Sequence, residues 1–286
     1  MTQFVVTTLS NASVYALIAV SLNVVYRSSG ILNFGAGHIT VVAGIFYVNQ
    51  MSPNGLGIVL TMLAAALVSL LGYAITIWWG QRRGFDHVAL SLALLGFGLV
   101  LDFLAGEVWA KEGFSAGALI DGRVTVGDTT FSRERILVVA IAAVFIVGTL
   151  LFVDRTMAGN AIEATAADGE LAGLYGVRTG VVACVTWALA GAALGLAGVI
   201  QGSIAAVSLT TALPLVILGI AAAVVGGLGS ISKVAAGALA VAAVQTAFIQ
   251  YVSPRYSISM VFVLLFVVLA LRPAGLFANA RTAERV

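Results

Sequence analysis

The sequence predicts an all-α polytopic membrane protein: eight to nine transmembrane helices with discontinuous segments, one short cytoplasmic helix, and one external loop carrying a β-hairpin signal. Three observations lead there. Of 286 residues, 61% are hydrophobic and 9% charged, with mean hydropathy +1.10; a soluble domain carries about 25% charged residues to keep its surface hydrated. The charges are clumped at 27, 82–86, 102–135, 154–178, 233, 255 and 272–285, leaving blocks long enough for the roughly 20 apolar residues that cross a bilayer as a helix. Those blocks lack the alternation of a barrel strand, and lipid tolerates only helices or closed barrels.

Hydropathy and chain breakers place spans at about 4–25, 34–51, 56–79, 88–106, 136–153, 180–201, 208–229, 234–252 and 257–272. The second and seventh are the weakest. Gly35/Gly37 and Pro214 would break them into half-helices or re-entrant segments, so eight crossings rivals nine. Basic residues orient the chain. With nine crossings and a cytoplasmic C-terminus, Arg27, Arg82, Arg83, Arg155, Arg178, Lys233, Arg272, Arg281 and Arg285 lie inside. Lys111, Arg123, Arg133, Arg135 and Arg255 then lie outside, with the N-terminus. The first apolar run lacks a basic n-region and reads as a retained span.

One domain, 1–286, is expected, with two hydrophilic segments on opposite faces and a cytoplasmic tail at 273–286. External loop 106–135 holds Asp121-Gly122 between short β-prone runs, a hairpin signal. Internal segment 154–179 reads DRTMAGNAIEATAADGELAGLYGVRT. Ala161 to Asp168 favour helix, Gly169 and Gly173 interrupt it, and Ile162, Leu171, Leu174 and Tyr175 offer an apolar face. A short helix along the cytoplasmic surface is expected.

Motifs that carry covalent chemistry are sparse, and neither catalytic residues nor a metal site is expected. Gly113-Phe114-Ser115-Ala116-Gly117 matches the G-x-S-x-G elbow of hydrolases. The two histidines, His38 and His87, start on the cytoplasmic side and do not reach an external serine. GGLGSISK (226–233) lacks the G-K-[ST] ending of a phosphate cradle. Cys184, the single cysteine, excludes an intrachain disulfide or a cysteine metal cluster. No span centre carries Asp, Glu, Lys or Arg; Asp102, near a span end, is the one candidate for ion coupling.

Asn11, Asn23, Asn33, His38, Thr186 and Thr246 fall at membrane depth, with Gln201 and Gln245 nearer span ends, at the interface. Interhelical hydrogen bonding accounts for such residues as readily as a solute route does. Gly191, Gly195 and Gly198 share one helix face and favour close packing. The stretch from Ser29 to His38 differs, because its glycines bracket polar groups. A helix broken within lipid needs protein or a water-filled cavity around its backbone, which is the setting of a substrate route.

Three blocks then occur in order: SVYALIAVSLNVVYRSSGILNFGAGHITVVAGIFY (13–47), the segment 154–200, and AAAVVGGLGSISKVAAGALAVAAVQTAFIQYVSPRYSISMVFVLLFVVLALRPAGLF (221–277). This order resembles the branched-chain amino acid ABC transporter permease family, the LivH type. The likeness covers most of the chain, and GGLGS followed by two apolar spans and RPAGLF is specific in combination.

The resemblance implies a non-enzymatic permease subunit of an ABC importer in the bacterial inner membrane. It would form half of a pathway for branched-chain amino acids or a related small polar or organic-acid solute. Partners would be a second permease chain in a heterodimer, two ATPase subunits carrying ATP and Mg, and an extracytoplasmic solute-binding protein. No cofactor would sit on this chain, and no nucleic acid is implied. Substrate-pathway positions would be Asn23, Asn33, Phe34, Gly35, Gly37, His38 and Gln201. ATPase coupling would use Arg155, Gly159, Glu163, Asp168, Gly169, Leu174 and Gly176, with Glu163 to Gly169 a degenerate E-A-A-x-x-x-G pattern. Loop 106–135 would help dock the binding protein. The chain departs from the family's N-F-A-H-G or N-F-A-Q-G: Gly35-Ala36-Gly37 fills those places, and His38 follows. Leu218 stands where a lysine is common. Family members carry branched-chain amino acids, amides, urea or aromatic acids, chosen by the binding protein.

The rival reading is a stand-alone secondary transporter or channel for a small solute, with helices broken near 30–38 and 211–219. A carrier moves solute alone; a permease subunit does not. An intramembrane enzyme lacks a nucleophile–base pair.

Overall fold

Uninterrupted apolar runs become long helices, and the polar breakers become their ends. The computed structural model describes residues 2–50, 54–109, 119, 122–126, 129–272 and 276. In chain order the helices are α1 (Thr2–Ser29), α2 (Ala36–Gln50), α3 (Gly55–Gly72) and, after a π-helical Tyr73–Trp78, α4 (Trp79–Gln81). They continue with α5 (His87–Trp109), α6 (Arg133–Arg155), α7 (Met157–Ala167) and α8 (Gly169–Leu174). The last four are α9 (Thr179–Ile204), α10 (Ala212–Gly226), α11 (Ile231–Tyr251) and α12 (Ser257–Leu271).

Among the described residues, eight helical runs are long and apolar enough to cross a membrane. The expected span 34–51 is not one of them: α2 has 15 residues, about 22 Å at the α-helical rise. The expected span 208–229 is one, as Leu209–Gly226. Pro214 does not break it, because it falls in the first turn of α10, where a missing N–H has no intrahelical partner to lose.

The centre of the bundle is α1 and α9, whose apolar windows are 72% and 67% buried, against 17% for the last span. The glycine face of α9 works as close packing. A Cβ on Gly191 would lie 2.6 Å from Ala65 O of α3, and one on Gly198 2.3 Å from Thr40 O of α2. Most of the polar residues at depth hold helices together. Asn11 Nδ2 donates to Thr246 Oγ1 at 3.3 Å, and the Tyr15 hydroxyl donates to Gln245 Oε1. Gln245 is 7% exposed, its side chain turned inward against α1.

Contacts define two ends. At one, Arg27 meets Glu163, Gly30 lies beside His87, and Asn23 Oδ1 accepts from Gly229 N at 2.5 Å. At the other, Arg135 Nη1 donates to Thr7 Oγ1 at 2.7 Å and Phe46 packs edge-on to Trp109.

A two-stranded hairpin caps this second end. β1 (Arg123–Val126) pairs antiparallel with β2 (Thr129–Ser132), with Val126 opposite Thr129. The strands are therefore joined between Val126 and Thr129, whereas the expected Asp121-Gly122 signal precedes β1. The Gly113–Gly117 motif, Asp121 and most of the tail 273–286 lie outside the described residues.

Candidate functional site

The stretch between α1 and α2 is a bend, a break in a passage that runs from Gly30, beside His87, to Phe46, beside Trp109 at the other end. Gly30 ends α1 in the left-handed region, at φ 68°, where a side chain is strained and glycine is not. The chain then rises without helical structure to Asn33, whose side-chain oxygen accepts from Gly35 N at 3.0 Å. That Asx turn starts α2 well inside the bundle. Gly35 and Gly37 permit it by close approach: a Cβ on Gly35 would lie 2.8 Å from Leu94 O, and one on Gly37 2.2 Å from Ala212 O. The first turns of α2 and α10 are therefore in contact, and α2 begins within the bundle, with Ala36, Gly37 and His38 all buried.

His38, in the first turn of α2, lies against Gly98, where a Cβ would sit 2.6 Å from its ring. Its Nδ1 is 2.6 Å from Asp102 Oδ2 on α5. Both side chains are buried enough to need one another, because an isolated charge at this depth is costly. Among the described residues, eight buried side-chain polar atoms lack a partner, and five of them belong to Asn33, His38, Tyr47, Asp102 and Trp109. All five sit in the bend, in α2, or on α5 beside it. Buried polar atoms are ordinarily hydrogen-bonded, so such a concentration marks a functional place.

Asn33, Phe34, Gly35, Gly37 and His38 are thus brought together. Asn23 and Gln201 are not part of that group. Asn23 is fully buried and ties α1 to the loop before α11, donating to Ala19 O and accepting from Gly229 N. Gln201 lies one turn beyond the α9 glycine that packs on Thr40.

Beneath the bend lies a cavity of about 970 Å³. Arg27, Ser29 and Gly30 line one wall, His87 and Tyr73 another, and Thr165 of α7 the floor. The floor belongs to segment 154–179, which forms two short helices rather than the one expected. Asp168 separates them, extended at φ −160°, because its carboxylate caps α8 by accepting from Leu171 N at 2.9 Å. Thr156 caps α7 in the same way.

The segment has two faces. Ile162 is 1% exposed, and Gly159 is pressed on the backbone of Val153. Met157, Leu174 and Tyr175 are 91%, 84% and 82% exposed. Arg155, Asp168, Gly169 and Gly176 are exposed as well. Glu163 turns back to pair with Arg27 of α1.

The family described as branched-chain amino acid transport system, permease component, matches this chain over residues 4–271. The chain belongs to that family. It is similar to the high-affinity branched-chain amino acid transport system permease protein BraD of Pseudomonas aeruginosa, 26% identical over 218 residues, 70% of each chain. It is also similar to the corresponding LivH protein of Escherichia coli K12, 25% identical over 206 residues, 66% of this chain and 67% of that one.

For a permease of this family, four residues at the bend, beside it or at its base are not legible as such from sequence. Asp102 was visible only as an acid near a span end, and nothing linked it to His38. Arg27 counted only toward orientation. Tyr47 and Trp109 gave no signal, since aromatic residues near span ends are ordinary membrane anchors.

Proposed function

We propose that this chain forms half of the translocation pathway of an ABC importer, paired with a second, different permease chain. Separate ATPase subunits drive it and an extracytoplasmic protein delivers the solute, a branched-chain amino acid or a related small polar or organic acid. The observation that carries this reading is α2, which starts inside the bundle beside two buried nitrogens without a partner, Asn33 Nδ2 and His38 Nε2. Discontinuous helices of this kind border solute sites in other transporters. The exposed Met157, Leu174 and Tyr175 support a docking face for the ATPase, since large apolar side chains at a helical elbow fit a groove on a partner. The end that carries Arg27, Arg82, Arg83, Arg155 and Arg178 is then cytoplasmic, together with the C-terminus, in a bacterial inner membrane.

One observation favours the rival carrier: the buried His38–Asp102 pair, since ionisable pairs at depth serve proton relays. Reconstitution in liposomes decides between them. The chain with its ATPase, second permease and binding protein is expected to accumulate leucine only when ATP is supplied. Accumulation by the purified chain alone, without nucleotide, would overturn the permease reading.

A further inference from the structure

We infer that the Arg27–Glu163 ion pair is the tether that passes movement of the α7–α8 segment to the bend between α1 and α2. Both side chains are then positioning residues for transport, not docking residues. The inference rests on the permease reading above.

Glu163 is the only charged residue of α7, and its carboxylate pairs with Arg27 of α1. Its neighbour Ile162 is buried and Gly159 sits on the Val153 carbonyl, so α7 is seated firmly on the end of α6. Arg27 lies in the last turn of α1, just before Ser28, Ser29 and Gly30, and so holds the foot of the bend. Across the foot, Ser28 Oγ donates to Thr186 Oγ1 of α9 at 3.3 Å. The foot is thus fastened to the bundle centre by a hydroxyl pair and to the α7 segment by an ion pair.

Between α7 and the foot of the bend is the cavity of about 970 Å³. That free volume, beside the place where α1 and α7 meet, leaves room for the two elements to shift, and Arg27–Glu163 is an ion pair at their junction. The two side chains are 25% and 51% exposed. Ion pairs this wet add little to folding stability, so removing this one leaves the fold intact and exposes any mechanical role.

The test uses the full importer complex in proteoliposomes, with leucine as the probe, and the variants Arg27→Glu, Glu163→Arg and both together. Each single reversal is expected to co-purify with the ATPase and keep basal ATP hydrolysis within about twofold, while ATP-driven uptake falls roughly tenfold or more. The swapped pair restores uptake to within about threefold of the unmodified complex. Glu163→Gln, which removes a charge without reversing it, shows the same split between hydrolysis and uptake. Single variants with unchanged uptake overturn the tether. So does an assembled swap no better than the singles, or loss of ATPase association in the singles, which would make these docking residues. Leucine uptake by the unmodified complex without ATP would instead sink the permease reading, and the tether with it.

Discussion

His38 Nδ1 lies 2.6 Å from Asp102 Oδ2, joining the first turn of α2 to α5 across 64 residues of sequence. The contact holds the start of α2 at depth. It has room only because Gly98 has no side chain beneath the imidazole ring. Removing one member of a buried pair leaves the other uncompensated, which costs more than the pair itself contributes. Asp102→Ala is therefore expected to destabilise the protein by about 3–5 kcal/mol. Asp102→Asn, which keeps an acceptor for a ring N–H, costs much less. Thermal unfolding in detergent separates the two; equal stabilities would mean that the pair does not hold α2.

Gly37 faces the backbone of α10 with no space for a methyl group. Gly37→Ala places carbon 2.2 Å from Ala212 O, a rigid neighbour, so the first turns of α2 and α10 are forced apart. Overpacking of this kind costs about 1–3 kcal/mol, read as a fall in unfolding temperature. Gly96, with nothing within 4 Å of an added Cβ, is the control. Gly96→Ala is expected to leave stability unchanged or slightly raised, since alanine favours helix.

The outward face of the α7–α8 elbow and its caps are separable. Leu174→Glu or Tyr175→Glu alters an exposed side chain, so folding stability is expected to stay within about 0.5 kcal/mol. Binding of the ATPase subunit, measured by co-purification, is expected to fall roughly tenfold or more, as when an apolar anchor is lost. Asp168→Ala acts differently: it removes the α8 cap at about 0.5–2 kcal/mol and loosens the elbow. Because Asp168 caps α8, its substitution weakens the segment itself before it touches any partner.

What the sequence alone determined is what local composition determines. Charge-poor blocks of sufficient length became helices, the polar elbow at 154–179 became a surface segment, and Gly35 and Gly37 marked the place where a span fails. Each follows from summing transfer free energies over neighbouring residues, which needs no knowledge of fold. The tertiary structure decided the rest. It placed the start of α2 inside the bundle, paired His38 with Asp102 and Arg27 with Glu163, buried Gln245 against Tyr15, and joined the hairpin after Val126 rather than at Asp121-Gly122. These pairings join residues 64, 136 and 230 positions apart. Hydropathy sets only whether a residue lies in lipid; which neighbour it meets there depends on how glycine faces allow whole helices to close on one another.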